Sequence, residues 1–385
     1  MHGPQICSCT VRLECLWESG LAMDSYLTAR FHLERGENMA DNSSFLNIET
    51  VQALLLVARF EFTHITAPKG LLTIARVMQL ISLLGYDILD QNTAEGERNK
   101  SHTPGSLQKI RRTYWTAFVM HCNAASSFVY CLPVKDTGIG TALPTHHSTI
   151  DPTPDQLAHL SDDLTGSMSK EYTLFTLLIL SMKLVIDGDR HCQVTKKYVS
   201  DPTSDYNFCL VHEKLGKEIT IMCNALSTAE ILGGLDNELR VLTCTIVLGA
   251  RIDWFKTAII GSQKAAFSGP VAKEYRNSCV AVANAMCVLL LQGNVTGPQH
   301  VGVIPAYKET SLFIMRPLAL AAEVLLDNLQ SSQTNTANNT NPCSTPREIR
   351  QNLQLLCNVM SVSKPASGEY DTRIQAFVVS GGDEV

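Results

Sequence analysis

IETVQALLLVARFEF occupies residues 48–62, LLTIARVMQLISLLGYDILD residues 71–90, and LQKIRRTYWTAFVMHCNAASSFVYCLP residues 107–133. In the first segment apolar residues recur at spacings of three and four, which is the period of a helix with one buried face. Asn47 stands where a helix N-cap is expected, and Gly85 suits the left-handed residue that ends a helix. The segments therefore predict three consecutive helices, with a break between the first two at Pro68-Lys69-Gly70.

The rest of the chain shows the same helical period. No run of alternating apolar and polar residues is long enough to require a sheet. We therefore predict an all-α fold, built as one large multi-helix domain. The further predicted helices are Tyr172–Ile186, Asp205–Ala225, Asn237–Ile260, Val271–Gln292, Leu312–Leu329 and Arg347–Val362.

Composition divides the chain into four parts. Residues 1–25 form a poorly ordered N-terminal segment, residues 26–329 the helical domain, residues 330–346 a polar linker, and residues 347–385 a C-terminal helix and tail. The last helix carries apolar residues along one side. This side either contacts a partner or docks on the protein's own core, and the sequence leaves both open. Its apolar residues are Ile349, Leu353, Leu356 and Met360.

Bulk properties exclude several classes of protein. The 385 residues are 45% hydrophobic and 18% charged, with a formal net charge of −6, so no dominant nucleic-acid surface is expected. The longest apolar stretch, Tyr172–Met182, is shorter than the roughly 20 residues that a membrane-spanning helix needs. The N-terminus does not resemble a secretory signal. Thirteen scattered cysteines favour reduced thiols in an intracellular protein.

Candidate metal ligands are few. Cys7, Cys9 and Cys15 are spaced Cys-x-Cys-x5-Cys, whereas a binuclear zinc cluster needs two Cys-x-x-Cys-x6-Cys blocks, so a weakly ordered terminus is favoured. The pairs His146-His147 and His191-Cys192 lack a third and a fourth ligand. We predict neither a metal nor a cofactor.

Enzyme signatures are also missing. There is no G-x-S-x-G elbow and no Walker loop, and Gly138-Ile-Gly140 lacks the third glycine of a dinucleotide-binding turn. A catalytic group assembled from distant residues stays open, but no motif indicates one. We predict that the protein is not an enzyme.

The helix after residue 106 carries its own pattern. Arg111 and Arg112 lie about 100° apart on a helix of 3.6 residues per turn, so both cannot face the core. One arginine is expected in solvent, and the other can pair with a buried acid. Trp115 follows Tyr114 on the apolar side and is predicted to be a structural anchor.

These motifs together resemble the regulatory middle region of fungal zinc-cluster transcription factors. The similarity covers roughly residues 26–144 and includes Gln52–Leu56, Phe60–Phe62, Leu83–Tyr86 and Arg111–Trp115, followed by a proline-rich loop. The resemblance assigns a structural role to six residues of the motifs, with no catalytic, cofactor or metal role. They are Arg111, Arg112, Trp115, Pro133, Asp136 and Pro144.

The resemblance implies a nuclear transcriptional regulator that controls a dedicated metabolic or secondary-metabolite gene cluster. It would act through other transcription factors or coregulators, as a homo- or heterodimer, without specific DNA binding of its own unless a zinc cluster lies outside this chain. The alternative is a helical small-molecule-binding module or enzyme that retains the scaffold. A pocket with converging polar groups would favour this alternative, and a shallow apolar groove would favour the regulator.

Overall fold

The computed structural model describes residues 21–38, 45–91, 103–127, 134, 138–144, 158–160, 172–201, 205–228, 234–263, 268–293, 305–334 and 345–362. Within these ranges every regular element is a helix, which confirms the all-α prediction. The ten α-helices are α1 (Leu21–Glu37), α2 (Ile48–Phe60), α3 (Ala67–Leu83), α4 (Pro104–Ser127), α5 (Leu174–Ser200), α6 (Phe208–Thr228), α7 (Gly234–Ser262), α8 (Ser268–Gly293), α9 (Pro305–Thr334) and α10 (Pro346–Val362).

The first helices have the predicted caps and one unpredicted junction. The Asn47 side chain accepts a hydrogen bond from the N–H of Thr50 at the start of α2. Gly85 has a φ of 69° after the end of α3, the left-handed conformation that glycine tolerates best. The predicted break at Pro68 is wrong, because Pro68 lies in the first turn of α3. A first-turn N–H has no acceptor within the helix, so proline costs little there.

A π-helical turn, Glu61–Ile65, joins α2 to α3. The wide turn brings two consecutive residues, Glu61 and Phe62, into the interior, where they are 0% and 1% exposed. Gly70 lies directly against this turn. A Cβ at Gly70 would stand 2.6 Å from the ring of Phe62, so the close approach of α3 requires a residue without a side chain.

The helices share one apolar core that extends from Val51 to Met360. Helix α7 is central and packs against α5, α6, α8 and α9, while α4 connects α3 to α5 and α9. The N-terminal helix begins at Leu21, before the predicted domain boundary at residue 26. Of the predicted linker, residues 330–334 belong to α9, and residues 335–344 lie outside the described part of the chain.

Helix α10 docks on the protein's own core and packs against α8 and α9. The four apolar residues on its predicted stripe are all buried. The side chain of Asn352 donates to Asn284 of α8 at 2.9 Å. The stripe predicted from sequence is therefore an internal contact of the fold. Its residues are Ile349, Leu353, Leu356 and Met360.

Candidate functional site

Residues 138–144 cross the end of α3 and are bonded to the turn that follows it. The hydroxyl of Thr141 donates to the carbonyl of Tyr86 at 2.5 Å and accepts from the N–H of Leu89 at 3.1 Å. The N–H of Gly140 donates to the carbonyl of Asp87 at 2.8 Å. A Cβ at Gly140 would lie 2.0 Å from the side chain of Gln91, so a larger residue would require the Gln91 side chain to move. We call residues 84–91, 111–115 and 138–144 together the motif joint.

A buried ion pair forms the centre of the motif joint. Arg111 donates from Nε to Asp90 Oδ2 at 3.1 Å and from Nη2 to Oδ1 at 2.5 Å, and the two side chains are 4% and 8% exposed. Asp90 also accepts the N–H of Ala142 at 2.8 Å. Arg112 faces solvent. The adjacent arginines thus divide as helical geometry requires, and the buried pair fixes one arrangement of α4 against the α3 turn.

Trp115 attaches α4 to the same loop. Its ring is 0% exposed, and its Nε1–H donates to the carbonyl of Ala142 at 2.7 Å. The ring meets Tyr114 and Phe118 edge-on, with centroids 4.8 and 5.2 Å away. Burial raises the pKa of Tyr114, so its hydroxyl stays protonated. The structure therefore places Trp115 at a packing position inside the protein.

The remaining motif residues continue the joint toward α5. Pro144 is buried, and its carbonyl accepts the hydroxyl proton of Thr176 at 2.8 Å. The N–H of Leu143 donates to Ala158 at 2.7 Å. Pro133 and Asp136 lie outside the described residues. Sequence reasoning singled out Arg111 but missed its partner Asp90, although this acid directly follows the apolar pair Ile88-Leu89.

A second buried network surrounds Glu61 and was missed from sequence. Its carboxylate accepts from Tyr26 at 2.7 Å, from Nε of Arg30 at 2.9 Å and from the hydroxyl of Thr73 at 2.5 Å. The network connects α1 and α3 through the π turn. A single acid between two aromatic residues, as Glu61 between Phe60 and Phe62, is the sequence signal for such a site, because a buried charge needs partners.

A third network joins α5, α7 and α9. Arg316 bonds to Asp189 of α5 and donates to Asp253 of α7 at 2.9 Å. Burial raises the pKa of Asp253, and the neighbouring guanidinium of Arg316 opposes this effect. Arg316 precedes Pro317, and a Cβ at Gly249 would stand 2.8 Å from the Pro317 ring. The small cavity there has a volume of about 20 Å³, room for about one water molecule.

Two histidines pair in an aromatic cluster. The Nε2 of His191 lies 3.1 Å from the Nδ1 of His212, and its Nδ1 lies 2.5 Å from the hydroxyl of Tyr206. His212 stacks on Trp254 at 4.5 Å. Burial, reinforced by the nearby His191, lowers the pKa of His212 to about 4. The side chain of His191 therefore contacts His212, whereas the sequence analysis considered it with Cys192 as a possible pair of metal ligands.

The described residues contain no group of three or more histidine, cysteine or acidic side chains that could hold a metal ion. Cys7, Cys9, Cys15 and the pair His146-His147 lie outside this part of the chain. The eight cysteines within it are free thiols, and burial raises the pKa of Cys287 to about 12, so that it stays protonated. None of the described helices is long and apolar enough to cross a membrane.

Comparison with known proteins finds one distant relative with an assigned role. The chain is 23% identical over 312 residues to an azaphilone cluster-specific transcription factor of Aspergillus niger, a match that covers 78% of this chain. The chain spans 58% of that relative's length. No protein-family model matches the chain, and no solved structure matches it. The chain is thus distantly similar to a fungal transcription factor.

Proposed function

We propose that the protein is a nuclear transcriptional regulator of a dedicated metabolic gene cluster, with a secondary-metabolite cluster as the preferred type. The observation that carries the proposal is the similarity to a cluster-specific transcription factor over 78% of the chain. That similarity extends well beyond the 119 residues from 26 to 144 on which the motif resemblance rests.

The fold supports this proposal in a second way. Three of the four described motif residues, Arg111, Trp115 and Pro144, are buried in the motif joint, and Arg112 faces solvent. A resemblance of sequence whose residues pack together in one joint is better explained by a common scaffold than by chance. The scaffold is proposed to regulate through protein contacts, with DNA specificity supplied by a partner transcription factor or by a second subunit.

Two measurements test the proposal. First, the gene is deleted and transcripts are quantified across its chromosomal neighbourhood, where we expect a contiguous set of biosynthetic genes to change together. Second, the chain is fused to a heterologous bacterial DNA-binding domain upstream of a reporter, and its output is compared with the DNA-binding domain alone. The fluorescently tagged chain should accumulate in the nucleus.

Matched variants make the reporter test specific. Trp115→Ala should abolish the output, because it breaks the motif joint, whereas Arg112→Gln on the exposed face of α4 should preserve it. An inert fusion that is nevertheless present in the nucleus, together with unchanged neighbouring transcripts in the deletion strain, would overturn the proposal. Purified chain should not bind DNA in a sequence-dependent manner at about 0.15 M salt, where non-specific contacts are weak.

A further inference from the structure

A cavity of about 350 Å³ lies between the C-terminal halves of α1 and α3. Its volume falls within the range of roughly 300–1,000 Å³ that is typical of small-molecule sites, while the cavity beside Arg316 is about 20 Å³. Helices α1 and α3 are connected near their middles, where Arg30 donates to Thr73 at 2.9 Å. Beyond this contact they enclose the space that we call the α1–α3 cavity.

The floor and the rim of the α1–α3 cavity are apolar. Leu54 and Leu80 are 5% and 6% exposed, and Leu33 of α1 is packed against the same core. At the rim, Leu46 is 45% exposed and Leu83 is 77% exposed. Covering these rim side chains would remove apolar surface from water and would favour binding.

Charges around the α1–α3 cavity balance. Two cations, Arg30 and Arg76, face two acids, Glu34 and Glu37. Arg30 is engaged by Glu61 and Thr73, and Arg76 pairs with Glu37 at 3.5 Å. Both lining cations are therefore already paired, so an anionic ligand would lose hydration without gaining an uncompensated cation. Glu34 is exposed to solvent, where an ion pair with a cationic ligand would contribute little.

A neutral hydrogen-bonding group remains at the wall. The amide of Gln79 presents two donors and an acceptor next to Leu80 and Leu83, so a carbonyl or hydroxyl group of a ligand can bond there. The lining thus combines an apolar floor, a polar neutral edge and balanced charges. This combination selects for a molecule that is mostly apolar, carries few polar groups and has no net charge.

We propose that the α1–α3 cavity binds an uncharged amphipathic small molecule, with its apolar body against Leu54 and Leu80 and a carbonyl or hydroxyl group at Gln79. The inference goes beyond the proposed function and does not depend on it, because binding is a property of the purified chain. None of Arg111, Trp115 and Pro144 lines this cavity, so ligand binding and the motif joint can be perturbed separately.

The test is a fluorescence titration of the purified chain with Prodan, a neutral naphthalene ketone whose emission shifts on leaving water. Saturable binding of one dye per chain is expected. Leu54→Trp fills the cavity from its floor and should raise the Kd at least about tenfold, equivalent to about 1.4 kcal/mol. Leu56→Trp is the matched control, because Leu56 lies on the same helix, is 46% exposed and does not line the cavity.

A second pair of variants keeps the test decisive if Leu54→Trp does not fold. Leu83→Glu places a charge at the exposed rim and should weaken binding of the neutral dye, whereas Leu72→Glu, at a position of α3 that is 69% exposed and outside the lining, should not. Circular dichroism checks that each variant is helical. A titration without saturation, or equal affinities across each matched pair, would reject the site.

An anionic dye tests the ligand class. Anilinonaphthalene sulfonate should not displace Prodan, because the lining has no net positive charge. Displacement at a comparable concentration would reject the neutral class. The dye titration tests only the binding site, and the reporter and transcript measurements test only the proposed function. A negative result in one test therefore rejects one proposal and leaves the other standing.

Discussion

The adjacent arginines of α4 offer a direct test of the motif joint, because one is buried and the other is exposed. Arg111→Met removes the partner of Asp90 and leaves a carboxylate that is 8% exposed without its counter-charge. Breaking a buried pair in this way costs about 3–5 kcal/mol. Arg112→Met makes the same chemical change on the solvent side and should stay within about 0.5 kcal/mol of the parent chain.

Asp90→Ala should cost as much as Arg111→Met or more. It leaves the guanidinium buried, and it also removes the acceptor of the Ala142 N–H, which adds about 1–3 kcal/mol if no water replaces it. The double variant Asp90→Asn with Arg111→Met removes both charges and keeps an amide oxygen for Ala142. Its cost should therefore be smaller than the sum of the costs of the single variants Asp90→Asn and Arg111→Met by about 0.5–3 kcal/mol.

Urea unfolding followed by far-ultraviolet circular dichroism measures these differences. The midpoint should fall for Arg111→Met and remain near the parent value for Arg112→Met, with similar slopes for both. Equal midpoints for the two methionine variants would refute the conclusion that the ion pair fixes α4 against the α3 turn. Purely additive costs in the double variant would show that Asp90 and Arg111 act independently.

Three further predictions concern other parts of the fold. Trp115→Ala should lower the free energy of unfolding by about 3–5 kcal/mol in urea titrations, and unchanged stability with lost reporter output would instead place the ring at a functional surface. As pH falls from about 6.5 to 4, His212 binds a proton in the unfolded state but stays neutral in the folded state. The free energy of unfolding should therefore fall by at most about 3 kcal/mol over this range, and His212→Phe should reduce this pH dependence. Deleting residues 331–385 removes α10, and size-exclusion chromatography should show aggregated or lost protein, whereas a soluble helical core would contradict the packing of Leu353.

The helical fold could be predicted because its signal is local. The apolar pattern of α10 can be recognised within its seventeen residues. The observed bounds, Pro346–Val362, differ from the prediction by one residue. The prediction for α5 stopped at Ile186, whereas the helix continues to Ser200. Its second half carries polar residues such as the partly buried Asp189 and the buried His191, whose partners Arg316 and His212 belong to other helices.

Long-range pairs account for most of what sequence reasoning missed. Arg316 and Asp189 are separated by 127 residues, and Arg30 and Glu61 by 31. Helical periodicity gives no information about such pairs, since it identifies only which face of one helix is apolar. Helical geometry predicts that only one of Arg111 and Arg112 faces inward, but it does not predict that the buried arginine pairs with Asp90. The α1–α3 cavity was likewise unpredictable, because it depends on how two helices diverge.

The motif residues and the cavity residues should respond differently to mutation, and this difference bears on how regulation works. Arg111 and Trp115 are buried and hydrogen-bonded to Asp90 and Ala142, so their substitution acts first on stability. Leu83 is mostly exposed, and its substitution should leave stability nearly unchanged. Under the proposed function, the motif joint would provide the scaffold. The specificity of a regulator would then depend on surfaces such as the α1–α3 cavity, where exposed apolar side chains such as Leu83 can gain contacts with a ligand. If Leu83→Glu alters reporter output in a chain as stable as the parent, the cavity regulates; if only destabilising variants alter it, regulation depends on the integrity of the scaffold.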